Sequence, residues 1–264
     1  MKKSILSFCL VIAIVSCTPF KPALSSADVN TVEIHEVRGR QGLLINQKLQ
    51  FAEFYTGKVK RSWTKGGNSH VPISQGTATD ILFPDLISLG YSSRNQTFSF
   101  QMQDSIGNKS DLYAATEFVA EDLQIGTNSN SLGNILEDVF GKNDVSDNLF
   151  YVQLYVNNDK RPWQLVLDNN AAQSNSKGYT GVFSLDEKHF YTIKPITKIM
   201  GKNGPTGIPM GSIGFEILNS NDDFVAAVSL IDKGSVFFKT SDKSERFLLA
   251  NLCAALLLQE NIAE

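Results

Sequence analysis

The chain has 264 residues and a formal charge of −3, with 24 lysines and arginines against 27 aspartates and glutamates. So mild an acidity, with the lysines scattered, argues against non-specific nucleic-acid binding, which depends on concentrated positive charge, and no nucleic-acid partner is expected. Apolar residues are 42% of the chain and phenylalanine alone supplies 17, enough to fill the core of one large domain.

Residues 1–17 hold the most specific signal. Lys2 and Lys3 form a positive end, Ile5 to Val15 is apolar but for Ser7, and the segment closes on Ile14-Val15-Ser16-Cys17. A charged start, a short apolar run and a small residue at the cut describe an export signal and not a membrane span. The tetrad resembles the bacterial lipoprotein processing box. That resemblance implies a signal peptide over residues 1–16, cleavage before Cys17, a lipid attached to the Cys17 thiol and acylation of its new amino end. Several acyl chains, at about 0.8 kcal/mol per buried CH₂, hold a protein firmly to a membrane surface. Loss of Lys2 and Lys3 leaves 22 basic against 27 acidic residues, a charge of −5. The expected location is the bacterial cell envelope, with membrane lipid as a partner through the N-terminal anchor. Thr18, where an aspartate would resemble an inner-membrane retention signal, points to the outer membrane. Cys9 falls in the export segment, which leaves Cys253 without a disulfide partner and reads it as a small buried hydrophobe.

Residues 17–34, rich in Ser, Pro and Ala, read as a flexible tether, and residues 35–264 as a single β-rich domain. Ordered structure is expected to begin near Leu43, with Leu49, Phe51 and Tyr55 sharing one strand face. After a turn at Gly57, the next strand holds Lys58, Lys60, Arg61 and Trp63, the densest basic-aromatic patch in the chain and the candidate ligand-binding residues. A solvated strand face with one aromatic tucked inward is the plainer account of them. Residues 97–102 alternate as a strand, whereas 111–123 fit a helix, with a strand through the same residues as the alternative. Residues 131–140 follow the i, i+3, i+4, i+7 rule of a helix. From Leu149 onward, short strands separated by polar turns describe an antiparallel barrel or sandwich, interrupted by a long loop over 200–211.

The last segment organises the rest. Phe247 to Leu258 is apolar except for Asn251, with no Pro, Gly or β-branched residue, so a C-terminal helix is expected over 246–260. It is too short to span a bilayer and apolar on nearly all sides, with Phe247, Leu248, Leu252, Cys253 and Leu256 as its expected buried core. A helix of that kind must be enclosed by protein. The expected fold is therefore mainly β with minor α: a barrel or strongly curved sheet of seven to twelve strands around a hydrophobic C-terminal helix.

The order strand, turn, strand, charged loop, apolar helix from Phe224 to Ile262 resembles the tubby C-terminal-like superfamily, which includes the phospholipid scramblases and the LURP-one-related proteins. The resemblance implies a barrel of about a dozen strands around a central helix. Tubby-type domains bind phosphoinositide headgroups through basic residues, but no motif of theirs maps onto Lys58, Lys60 or Arg61.

No catalytic constellation is legible. His35, His70 and His189 are scattered without metal-ligand spacing; His189 reads as a structural residue in a strand. The carboxylate pairs Glu121-Asp122, Glu137-Asp138 and Asp222-Asp223 read as solvated helix or turn residues, and no metal or cofactor is expected. The functional expectation is a non-enzymatic envelope lipoprotein that binds a lipid, ligand or envelope protein. Two alternatives stand beside it, a hydrolase using carboxylates from separate strands and a structural component of the envelope.

Overall fold

The computed structural model describes residues 21–25, 31–41, 46–63, 96–118, 148–174, 178, 180–209 and 211–259. Cys17, His70, the pairs Glu121-Asp122 and Glu137-Asp138, and the helix expected over 131–140 lie outside the described residues. Strands β1 (Lys21–Pro22), β2 (Glu33–Glu36), β3 (Gln50–Phe51), β4 (Phe54–Thr56), β5 (Lys60–Trp63), β6 (Gln96–Asp104), β7 (Lys109–Phe118), β8 (Leu149–Val156) and β9 (Trp163–Asp168) precede a short helix α1 (Asn169–Gln173). Then follow β10 (Gly181–Ser184), β11 (Phe190–Pro195), β12 (Lys198–Gly201), β13 (Gly204–Gly207), β14 (Gly214–Asn219), β15 (Phe224–Ser229), β16 (Ser235–Phe238) and helix α2 (Lys243–Leu258).

Twelve strands form one antiparallel path in the order β2-β16-β15-β14-β11-β10-β9-β8-β7-β6-β4-β3, and β5 pairs with β6 beyond β4. The ends of the path meet where Arg38 and Gln50 exchange both backbone hydrogen bonds, at 2.9 and 3.0 Å. The result is a nearly closed barrel. Gly39, next to this junction, has φ +83°, and a Cβ there would lie 1.9 Å from the Lys48 carbonyl oxygen, so the crossing needs glycine.

Helix α2 fills the barrel. Every residue from Arg246 to Leu258 is buried, and Phe247, Leu248, Leu252, Cys253 and Leu256 sit in one core with Phe98, Phe100, Phe150, Val152, Leu154 and Phe183 of the wall. An interior that admits a helix needs more strands than a side-chain-filled barrel, which is why the path runs to twelve. Cys253 Sγ lies 4.0 Å from the Ala227 carbonyl oxygen of β15, and burial pushes its thiol well above the ordinary range. Asn251, fully buried, donates from Nδ2 to the Phe247 carbonyl at 2.8 Å and accepts from the Ser110 hydroxyl of β7 at 2.6 Å.

Several local expectations change. Residues 109–118 form β7 and not a helix, because pairing with both β6 and β8 satisfies their backbone and buries Leu112 and Ala114 inward. Residues 200–207, expected as part of a loop over 200–211, belong to the β12–β13 hairpin of residues 198–207. Phe54 and not Tyr55 joins Leu49 and Phe51 in the core, since the two-residue turn at Ala52–Glu53 pairs Phe51 with Phe54 and shifts the alternation by one. The segment expected as tether enters the fold: Lys21–Pro22 pairs with β12, Ala23 is buried, and Ser25 bonds to Glu216. Glu33–Glu36 then pairs with β16. These residues gain backbone partners from sheet edges, which their polar composition does not reveal.

Asn251→Ala should destabilise the protein by about 2 kcal/mol, since it leaves the buried Ser110 hydroxyl only the long contact to the Met102 carbonyl, at 3.5 Å. Adding Ser110→Ala should cost less than it does in the wild type, as read by denaturant unfolding in a double-mutant cycle.

Candidate functional site: the barrel seam and its cationic outer face

Strand alternation sorts the residues around the seam between β2 and β3. Leu49, Phe51, Phe54, Val59, Phe98, Phe100 and Met102 point into the core. Their neighbours point out: Lys48, Gln50, Tyr55, Lys58, Lys60, Gln101 and Gln103 are exposed or nearly so. The registers then set residues side by side across strands. Arg38 lies beside Gln50, Gln50 beside Tyr55, Tyr55 beside Gln103 and Gln103 beside Lys109. At about 4.8 Å per strand this row is about 19 Å long, with a cation at each end and Tyr55, 41% exposed, in its middle. Lys60 stands beside Ser99 in a parallel row, and Lys58 follows Gly57, whose N–H donates to the Gln101 carbonyl at 2.7 Å.

One sector of the outer wall thus carries Arg38, Lys48, Lys58, Lys60 and Lys109, all exposed. Two exposed or half-exposed carboxylates lie among them: Glu36, two residues before Arg38 on the same strand face, and Asp111, whose carboxylate accepts from Gln101 Nε2 at 2.8 Å. Beside it, burial, the Asp111 carboxylate and Tyr155 raise the Tyr113 phenol to about 12, so it stays a neutral donor at physiological pH.

The patch expected at 58–63 is divided by the same alternation. Lys58 and Lys60 belong to the outer face, but Arg61 turns inward. Its guanidinium stacks over Phe98, 5.2 Å from the ring centre, and Nη2 donates to the Leu258 carbonyl at the end of α2, at 3.0 Å. Arg61 is a helix cap, not a member of the surface patch. Trp63 ends β5 on the same alternation as Arg61; its side chain is outside the described residues. Arg38, Lys48 and Lys109 were not singled out from the sequence, because they are distant in the chain and only the sheet register joins them.

Beneath the face lies the seam. A groove of about 330 Å³ opens between the strand ends, walled by Ile34, His35, Glu36 and Arg38 on one side and Gln50, Phe51 and Ala52 on the other. Arg246 of α2 latches the two walls from within. It reaches Glu33 of β2 at 3.0 Å and Glu53 of the β3–β4 turn at 3.1 Å, and stacks over Phe238 at 4.7 Å. His35 Nε2 lies 3.4 Å from the same Glu33 carboxylate. Bonding to Arg246, with a smaller part from His35, holds the Glu33 carboxyl below its ordinary range. Burial works against the Arg246 charge, but Glu53 and Glu33 outweigh it and raise its affinity for the proton.

The other chemistry expected from the sequence is dispersed. His189 sits in the exposed turn before β11, not in the strand, and its Nδ1 lies 2.7 Å from Asp186. Asp222 and Asp223 are turn residues between β14 and β15, Asp222 with φ +61°. Among the described residues no group of three or more His, Cys, Asp or Glu side chains could hold a metal ion, and no helix is long and apolar enough to cross a membrane. No protein-family model, curated protein or solved structure matches the chain.

A carboxylate whose folded value lies below its unfolded one stabilises the protein at neutral pH, and that stabilisation is lost as the pH falls through the folded value. The melting temperature of the wild type should therefore drop more steeply on acidification below the ordinary carboxylate range than that of Glu33→Gln, as followed by circular dichroism.

Proposed function

We propose that the chain is a lipid-anchored protein of the bacterial envelope, held at the outer membrane, that works by binding and not by catalysis. Its cationic outer face would hold an anionic lipid surface. The observation that carries this reading is the concentration of Arg38, Lys48, Lys58, Lys60 and Lys109 on one sheet face of a chain that is acidic overall. Each lysine or arginine close to an anionic bilayer contributes about 1 kcal/mol, so five on one face suffice for orientation and retention once an acyl anchor supplies the first attachment. Exposed Tyr55 adds an amphipathic side chain suited to the headgroup layer.

Two features support the reading from outside the site. Ile14-Val15-Ser16-Cys17 resembles a lipoprotein processing box, with Cys17 as the acylated residue. Three residues lie between Cys17 and Lys21 of β1, so the four Cα–Cα steps span at most about 14 Å, which would keep the barrel close to the lipid. The twelve-strand path around a buried C-terminal helix has the outline that the tubby-like resemblance implies, and tubby-type domains bind phosphoinositide headgroups through basic residues. Here the ligand chemistry is the phosphate-rich surface common to bacterial anionic lipids.

Residues 18–264, which lack the acylation site, should sediment with phosphatidylglycerol vesicles and not with phosphatidylcholine vesicles. The Lys58→Glu/Lys60→Glu double variant should lose binding by about tenfold or more, and high salt should suppress what remains. Unchanged sedimentation of that variant would overturn the face as the site. In cells, labelled palmitate should enter the wild type and not Cys17→Ser; equal labelling would remove the anchor.

A further inference from the structure

Among the described residues, strand β2 is paired along its length on one side only. Along an antiparallel strand, successive residues send their backbone groups to opposite sides. The Val37 N–H donates to Gly234 on the β16 side at 3.1 Å, whereas Arg38 points the other way, to Gln50. Counting back in twos from Arg38, Glu36 and Ile34 direct their N–H and C=O groups to that second side, and no described strand pairs with them there. The cause is the Ala52–Glu53 turn. After Phe51 the chain bends into β4 instead of continuing alongside β2. Ala52 holds φ +48° in that turn, a left-handed value that alanine rarely adopts, so a strained residue forms the far wall of the groove.

We infer that this groove takes an extended segment of a partner protein, added to the barrel as a further strand on β2. Only a polypeptide in strand conformation offers donors and acceptors at the two-residue spacing that Ile34 and Glu36 present. The pleat then specifies side chains. A residue opposite Glu36 meets an exposed carboxylate. A residue opposite Ile34 meets an apolar side chain 51% exposed, and the residue between them faces inward to Phe51. Below, Glu33 and Glu53 share the single guanidinium of Arg246, and with Glu36 these three carboxylates outnumber the two cations of the rim, Arg38 and Arg246. The fitting segment reads basic, apolar, branched apolar in the antiparallel direction. This groove borders the outer face assigned to lipid and shares Arg38 and Gln50 with it, but it is read from the free backbone groups of β2 and does not rest on that assignment.

The test titrates the full chain in detergent micelles with three synthetic peptides: acetyl-TKFVT-amide, acetyl-TEFVT-amide, and the first peptide N-methylated at its lysine and valine. The lysine peptide should bind saturably and slow hydrogen exchange at the Ile34 and Glu36 amides. N-methylation should weaken it by about tenfold or more, as loss of two backbone donors requires. Ile34→Pro removes a donor on the open side and leaves the bonds to β16, so it should weaken binding similarly without changing the melting temperature. Glu36→Lys should turn the preference to the glutamate peptide, which keeps the idea testable if the proline variant fails to fold. Equal binding of the N-methylated peptide, protection elsewhere, or no binding at millimolar peptide would overturn the inference. So would a dimer that protects the same two amides while the peptides have no effect, since the occupant would then be a second copy.

Discussion

The structure depends on enclosing an α-helix inside a sheet. A helix buried from Arg246 to Leu258 gains the transfer free energy of eleven apolar side chains, but it takes into the interior terminal C=O groups that have no partner within the helix. The helix caps its own first turn, and the barrel supplies partners at the last. At the first turn Asp242 accepts from the Glu245 N–H at 2.8 Å, and Glu245 accepts from the Tyr191 phenol of β11 at 3.0 Å. At the last turn Arg40 donates to the Leu257 carbonyl at 2.8 Å and Arg61 to that of Leu258 at 3.0 Å. Two cations thus stand at the negative end of the helix dipole, where charge and hydrogen bonding act together.

This arrangement couples the helix to the closure of the wall. Arg40 follows the Arg38–Gln50 junction, and Arg246 ties Glu33 on one edge of the seam to Glu53 on the other. Among the described residues the seam is crossed by the Arg38–Gln50 pair of backbone bonds, by the Gln41 N–H donating to Gln47 Oε1 at 3.1 Å, and by Arg246, a side chain that comes from the helix. A sheet that closes around an occupant needs no complete ladder, because the occupant itself pulls the edges together. The residual gap is where backbone groups remain available, and its presence follows from the Ala52–Glu53 turn.

Filling the interior also moves any recognition to the outside. Among the described residues, the lumen is taken up by α2 and its neighbours. Alternation then turns half of each strand outward, and on β3 to β7 that half is rich in lysine and glutamine. Lys58 and Lys60 were visible as a basic run. Their association with Arg38, Lys48 and Lys109 was not, since the five positions span 72 residues of chain (109 less 38, plus one) and meet only through four strand registers. Arg61 shows the converse. Its neighbours in sequence suggested a surface role, yet the parity of β5 sends it inward to the helix end.

By itself the sequence determined what composition and periodicity can carry: a β-rich domain, an apolar C-terminal helix with no flank fit for solvent, and therefore a wall that closes around it. Those features are local, because each is written in a run of a dozen residues or in the repeat of a turn. What only the tertiary structure decided was non-local. Which strand edges meet at Arg38 and Gln50, which cations share a face, and that residues 109–118 pair as a strand all depend on partners far away in the chain. Side-chain orientation in a sheet has a period of two, so one turn such as Ala52–Glu53 inverts every assignment after it, and no count along the sequence reveals that shift before the pairing is known.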